Sequence, residues 1–230
     1  MSEKPIIFSK PMVNAILANR KSQTRRIIKR PLSHPNWTGY MLSNDKTEVI
    51  ECGPDYPDSK EDCYKNPYGV PGDKLWVRET CRAEELADGA DGVRYLADDS
   101  WRVIESTAEA ADKWVALNCY QGVQGATVPS IFMPRWASRL TLEITDIRVQ
   151  RLQEINAQDA MAEGVVQCEI PADDEGPIRL GYMIGSDDGT SPLTANPQQS
   201  FMKLWDSIHG KRHPSFSNPW VWALSFKRIK

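Results

Sequence analysis

Arg139-Leu140-Thr141-Leu142-Glu143-Ile144-Thr145 alternates without a break: Leu140, Leu142 and Ile144 fall on one side of an extended chain, and Arg139, Thr141, Glu143 and Thr145 on the other. A period of two residues marks a strand with one face on a core, so the middle of this chain is sheet. The whole of Trp136 to Gln150 is read as that strand. The same period returns near the end of the sequence, where Trp220, Trp222, Leu224 and Phe226 oppose Val221, Ala223, Ser225 and Lys227. This last strand is expected to complete a small barrel. A third strand, Lys74 to Thr80, leaves the Gly72-Asp73 turn with Leu75 and Val77 set against charged neighbours.

Three short helices are expected around these strands. Pro11 to Ala18 places Met12, Val13, Ile16 and Leu17 on a buried side and ends near Asn19. Asn156 caps a second helix with Asp159 three residues on, and Gly164 after Ala160 and Met161 puts Glu163 in its last turn. Asn196-Pro197 starts a third, with Phe201, Leu204, Trp205 and Ile208 at helical spacing as a core stripe and Gly210 as terminator. His209 and His213 are read as loop residues beside it. The remaining sequence falls into three insertions. Residues 31–68 form a long excursion, a possible flap, with Trp37, Tyr40, Tyr56 and Tyr64; residues 82–130 begin acidic and Ala-rich, partly helical and solvated; residues 166–195 read as an acidic loop rich in Gly, Pro and Asp.

The chain has 230 residues, 40% of them hydrophobic and eight of them Trp, enough for one core. No stretch reaches the roughly 18 apolar residues of a membrane span, and Met1-Ser2-Glu3-Lys4-Pro5 lacks the pattern of a signal peptide, so a cytoplasmic protein is expected. Five cysteines without a C-x-x-C pair fit reduced thiols, and with only three histidines no metal and no other cofactor is called for. Nothing implies an obligate protein partner. With 28 Lys and Arg against 31 Asp and Glu, affinity for nucleic acid must come from a local patch. Such a patch exists: Arg20, Lys21, Arg25, Arg26, Lys29 and Arg30 surround Thr24 within eleven residues. Lys21 and Thr24 sit just past the first helix, on a loop and the strand that follows.

Ile16-Leu17-Ala18-Asn19-Arg20-Lys21-Ser22-Gln23-Thr24-Arg25-Arg26, the Gly72-Asp73-x-Leu75 strand entry, the strand at 139–145, Ala162-Glu163-Gly164 and the closing aromatic strand together resemble an ASCH domain. The resemblance implies an α+β fold of one domain over 1–230, a PUA-like mixed β-barrel framed by short helices with the three insertions. It implies RNA or a modified nucleoside as ligand. The long form looks like those of phages and prophages of enteric bacteria. One enzymatic branch, the bacterial N4-acetylcytidine amidohydrolases, carries Arg-Lys-Thr-x-Thr-x-Arg at this point, to which Arg20-Lys21-Ser22-Gln23-Thr24-Arg25-Arg26 is similar. Ser22 stands in place of the first threonine, and Arg26 follows Arg25 directly in place of a spaced arginine. By that likeness Thr24 is a nucleophile, Lys21 its base and Glu163 a proton donor.

The chemistry of these residue types is consistent with such roles. A threonine hydroxyl attacks only when a base takes its proton, and a lysine serves only if it is neutral near pH 7. Cationic neighbours and burial in a cleft both disfavour the ammonium of Lys21. Arg25 and Arg26 offer donors for an oxyanion, and the negative end of a helix dipole works against charge on Glu163. Arg20, Arg25 and Arg26 are the candidate phosphate ligands, Trp37 a stacking residue, and Glu79 a rival carboxylate leaving the strand beside the cleft. Two functions follow as expectations: amide hydrolysis on acetylated cytidine or a related nucleoside, or RNA binding without turnover, with RNA cleavage as a third. The acidic insertions tip the balance toward a small ligand.

Overall fold

In the computed structural model, which describes residues 2–29, 32, 38–52, 63–170, 179–184 and 193–230, the alternating segment is an eleven-residue strand, β10 (Thr141–Arg151). Trp136 and Ala137 belong instead to a short 3-10 turn before it. Where β10 pairs with β13 (Trp220–Arg228), the register slips between Ile144 and Asp146. This bulge at Thr145 returns Ile147, not Asp146, to the buried side with Leu142 and Ile144.

β13 also pairs antiparallel with β2 (Gln23–Ile27), while the other edge of β10 meets β6 (Lys74–Arg78), which runs parallel to β1 (Glu3–Ile7). The order β1-β6-β10-β13-β2 is an open five-stranded sheet whose edges are β1 and β2. The closing strand is therefore an inner strand and not a barrel seam. Both of its faces are buried: Trp222, Leu224 and Phe226 enter the main core with Leu142, Ile144 and Ile147, whereas Val221 packs with Phe201 and Trp205 on the helical side. The fold is mixed α+β, with sheets predominating and few helices.

The helices are α1 (Lys10–Leu17), α2 (Ala108–Asn118), α3 (Ala157–Ala162) and α4 (Pro197–His209). Their ends follow the expected rules. Asn156 Oδ1 accepts from the Asp159 amide at 2.7 Å and Asn196 Oδ1 from the Gln199 amide at 2.9 Å, each satisfying a first-turn donor. Asn19 just after α1 adopts φ 55°, the left-handed turn that stops a helix. None of the described helices is long and apolar enough to cross a membrane.

The insertions are more ordered than their composition suggests. The insertion at 82–130, read as partly helical and solvated, does contain helix α2, but it opens as strand: β7 (Cys81–Glu85), β8 (Asp91–Tyr95) and β9 (Trp101–Val103) form a three-stranded sheet. Cys81, Ala83, Val93, Tyr95, Leu117, Val128 and Met133 make a second core under it. Alanine-rich composition signals helix, but Ala83 here fills one side of a strand. Trp101 packs over Gly92, where a Cβ would meet its ring at 2.2 Å, so it is a packing residue and not a stacking platform. In the first insertion β3 (Gly39–Leu42), β4 (Glu48–Cys52) and β5 (Cys63–Lys65) form a sheet that sends Tyr40 and Val49 into the main core. Lys46 is salt-bridged to Asp146 beside the bulge. The supposed loop at 166–195 contains most of a hairpin, β11 (Val165–Ile170) with β12 (Arg179–Ile184); its acidic residues hid the strand. Trp37, Tyr56 and Arg30 lie outside the described residues.

Candidate functional site

The site begins with two complementary periods. On β2 and the turn before it, Lys21, Gln23 and Arg25 recur every second residue; on α3 and the residue that caps its C-terminus, Asp159 and Glu163 recur at i and i+4. The two faces meet. Lys21 Nζ donates to Glu163 Oε2 at 2.7 Å and to the Glu163 carbonyl at 2.8 Å. Arg25 donates through Nη1 to Glu163 Oε1 at 3.1 Å and to Gln23 Oε1 at 2.6 Å, and through Nη2 to Asp159 Oδ2 at 2.7 Å. Arg148 closes the network from β10, donating to both oxygens of Asp159 at 2.9 and 3.1 Å.

Backbone geometry brings these elements this close. The Ser22 amide donates to the Ala162 carbonyl at 2.9 Å, and Gly164, at φ 101°, turns the chain out of α3. A Cβ at Gly164 would lie 3.3 Å from Ala15 Cβ and 3.6 Å from Lys21 Cβ, so glycine is needed for both the turn and the approach.

The Lys21 and Arg25 side chains have no exposed surface, and that of Glu163 has 2%. Burial pushes the Lys21 pKa below its ordinary value; the charge and hydrogen bond of Glu163 oppose this, and the charges of Arg26 and Arg25 add to it. This is the direction expected for a lysine base. The hydrogen bonds of its ammonium among the described residues run to Glu163 and not to Thr24, however.

Thr24, Arg25, Arg26 and Glu163 line one cavity of about 320 Å³. Its other walls include Ile7 at the end of β1, Phe8 after it, Lys10 and Met12 of α1, Thr80 after β6, and Phe201, Leu204, Trp205, Ile208 and His209 of α4. The cavity lies at the gap between the two edge strands. Arg26 spans this gap, donating from β2 to the Ile7 carbonyl of β1 at 2.6 Å, with its guanidinium 5.1 Å from the centre of the Phe8 ring. The α4 stripe is thus a cavity wall as well as core. His209 is the last residue of that helix, not a loop residue, and its ring lies 4.5 Å from that of Trp205. Burial, with the charges of Arg26 and His213, lowers its pKa.

Asp159, His209 and the α4 aromatics were missed as site residues. The i, i+4 spacing of Asp159 and Glu163 against alternating cations was the available signal for the first; the run of the stripe on to His209 was the signal for the others. Arg20 is half-buried and does not line the cavity. Glu79 lies elsewhere: both its oxygens accept from Arg139 at 2.8 Å, and it lines a neighbouring cavity that shares Lys10 and Thr80 with the first. Burial raises the Glu79 pKa against the opposing hydrogen bond and charge of Arg139. Arg139 also bonds Asp98 at 2.9 Å, so this is an ion network joining the second core to the main sheet.

The net pKa of Asp159 is lowered: burial works to raise it, but the Arg148 hydrogen bond, the Arg25 charge, the Gln23 hydrogen bond and the Arg148 charge prevail. A carboxyl group held below its unfolded value stabilises the fold above that value and loses the contribution as pH falls through the folded one. Asp159→Asn is therefore expected to cost roughly 2 kcal/mol at pH 7 and to flatten the acid limb. Denaturant unfolding between pH 5 and 2 checks this; parallel curves for the two proteins would show that the Arg25 and Arg148 pairs carry no weight.

The chain matches no protein-family profile, no curated protein and no solved structure.

Proposed function

We propose that the cavity binds a modified pyrimidine nucleoside and that the protein hydrolyses an amide on its exocyclic nitrogen, with N4-acetylcytidine as the type substrate. The observation that carries this reading is the presence of Thr24 and Glu163 in the walls of one cavity, with Lys21 bonded to the Glu163 carboxylate at 2.7 Å. A PUA-like fold of the ASCH type is part of this proposal; the sheet itself is open, with the cavity at the gap between its edge strands β1 and β2.

Thr24 Oγ1 attacks the acyl carbonyl and gives its proton to the Lys21–Glu163 pair. The tetrahedral oxyanion forms beside Arg26. The pair then returns a proton to the leaving nitrogen, cytidine departs, and water hydrolyses the threonine ester to free carboxylate. Burial lowers the pKa of Lys21, the direction a lysine base requires. The volume sits at the lower end for small-molecule sites, suiting one nucleoside. The alternative, in which the cation cluster grips phosphates, has less support, because Lys21 and Arg25 are buried and spent on Asp159 and Glu163.

Incubation with N4-acetylcytidine, followed by chromatography, is expected to show cytidine from the unmodified protein and none from Lys21→Met. Absence of cytidine from folded protein at high concentration would overturn the assignment.

A further inference from the structure

The cavity does not end at Arg26. Ile7, Arg26, Ile208 and His209 are shared with a groove of about 1000 Å³ that continues along the open side of the sheet. Lys29 enters it from the segment after β2, and Lys211, Arg212 and His213 from the turn after α4. All four are exposed, and none makes an ion pair among the described residues. Among the described residues the one carboxylate in its walls is that of Asp206, whose two oxygens accept from the Ser215 backbone amide at 2.6 Å and hydroxyl at 2.7 Å. In a chain of net charge −3 this is a concentration of positive charge that Asp206 offsets only in part, beginning where the cavity ends.

Cations after a helix also stabilise its carbonyl end, which accounts for Lys211 and Arg212 taken alone. It does not account for Lys29, which comes from a different element and faces the same space. A nucleoside in the cavity carries its sugar hydroxyls as the points of extension, and the groove is about three times the cavity in volume. We infer that the groove is a phosphate subsite and that the ligand whose base occupies the cavity is a nucleotide, either free or within single-stranded RNA. This rests on the nucleoside reading of the cavity and extends it to the anion attached to that nucleoside.

Calorimetric titration with cytidine, cytidine 5′-monophosphate and a single-stranded cytidylate hexamer tests it. The monophosphate is expected to bind at least about ten-fold tighter than cytidine. A Lys29→Gln, Lys211→Gln, Arg212→Gln protein is expected to lose that difference while releasing cytidine from N4-acetylcytidine at the unmodified rate. Hexamer binding tighter than the monophosphate, with a log–log salt slope above about 1.4, identifies RNA as the source, since each phosphate contact adds roughly 0.7; equal affinities identify the free nucleotide. Equal binding of cytidine and its monophosphate, or a difference that survives the triple substitution, would overturn the inference. Competition by inorganic phosphate separates it from the hydrolase reading: phosphate binding that depends on Lys29, Lys211 and Arg212 supports the groove even in a protein that releases no cytidine, and phosphate binding unaffected by their loss refutes it.

Discussion

Thr24→Ala is expected to lower cytidine release by about a thousand-fold or more while leaving the affinity for the nucleoside within about three-fold. Removing a nucleophile eliminates the covalent step, whereas the walls that enclose the base, from Phe8 to Trp205, are untouched. Thr24 is 2% exposed and paired in register with Leu224, so its substitution leaves the backbone ladder between β2 and β13 and the neighbouring side chains in place. The structural cost is on the order of 1 kcal/mol, too small to unfold the protein. Thr24→Ser, which restores a hydroxyl at the same Cβ, is expected to recover part of the rate. A Thr24→Ala protein that turns over at more than a tenth of the original rate would assign the nucleophile to water and leave Thr24 as a lining residue.

The largest effect on stability is expected at Glu163. Its carboxylate is the counter-charge of Lys21 and shares Arg25 with Asp159, and the Lys21 and Arg25 side chains have no exposed surface. Glu163→Ala strands the ammonium of Lys21, which among the described residues keeps the backbone carbonyl as its hydrogen-bond acceptor, and halves the carboxylates around Arg25. Breaking a buried pair in this way costs about 3–5 kcal/mol, more than the pair itself contributes, because a charge without a partner remains in a dry interior. For a chain of this size the melting temperature should fall by roughly 6–20 °C. Adding Lys21→Met to Glu163→Ala removes the stranded charge and should recover more than about 1 kcal/mol, a coupling that a double-mutant cycle reads directly. Simple additivity of the two substitutions would mean that the two side chains do not interact in solution. Activity of any Glu163 variant must be measured on the folded fraction, since the same carboxylate lines the cavity and holds β2 to α3.

Local rules were legible wherever a short window carries its own physics. The alternation at 139–145 and 220–226, the asparagine caps at 156 and 196, and the turn at Asn19 each depend on a few neighbouring residues; the caps, the turn and the closing strand appear at their expected places, and the central strand begins at Thr141, five residues later than expected. The strands at 81–85 and 165–170 were obscured because alanines and acidic residues weaken the periodic signal. They exist because a distant surface covers them: Leu117, Val128 and Met133 in one case, and the β12 strand with α4 in the other.

By itself the sequence determined that this is a sheet-dominated α+β chain in which Lys21, Thr24 and Glu163 stand at a loop, a strand and a helix end. It could not determine what the six cations at 20–30 face. That depended on the chain reversal at Gly164 and the pairing of β2 with β13, which carry Lys21 and Arg25 into a dry interior against two carboxylates and leave Arg26 at the edge of the cavity. The open edge between β1 and β2, and the α4 wall that fills it, are likewise consequences of packing, because sheet order and the choice of covering helix are set by contacts between residues far apart in sequence.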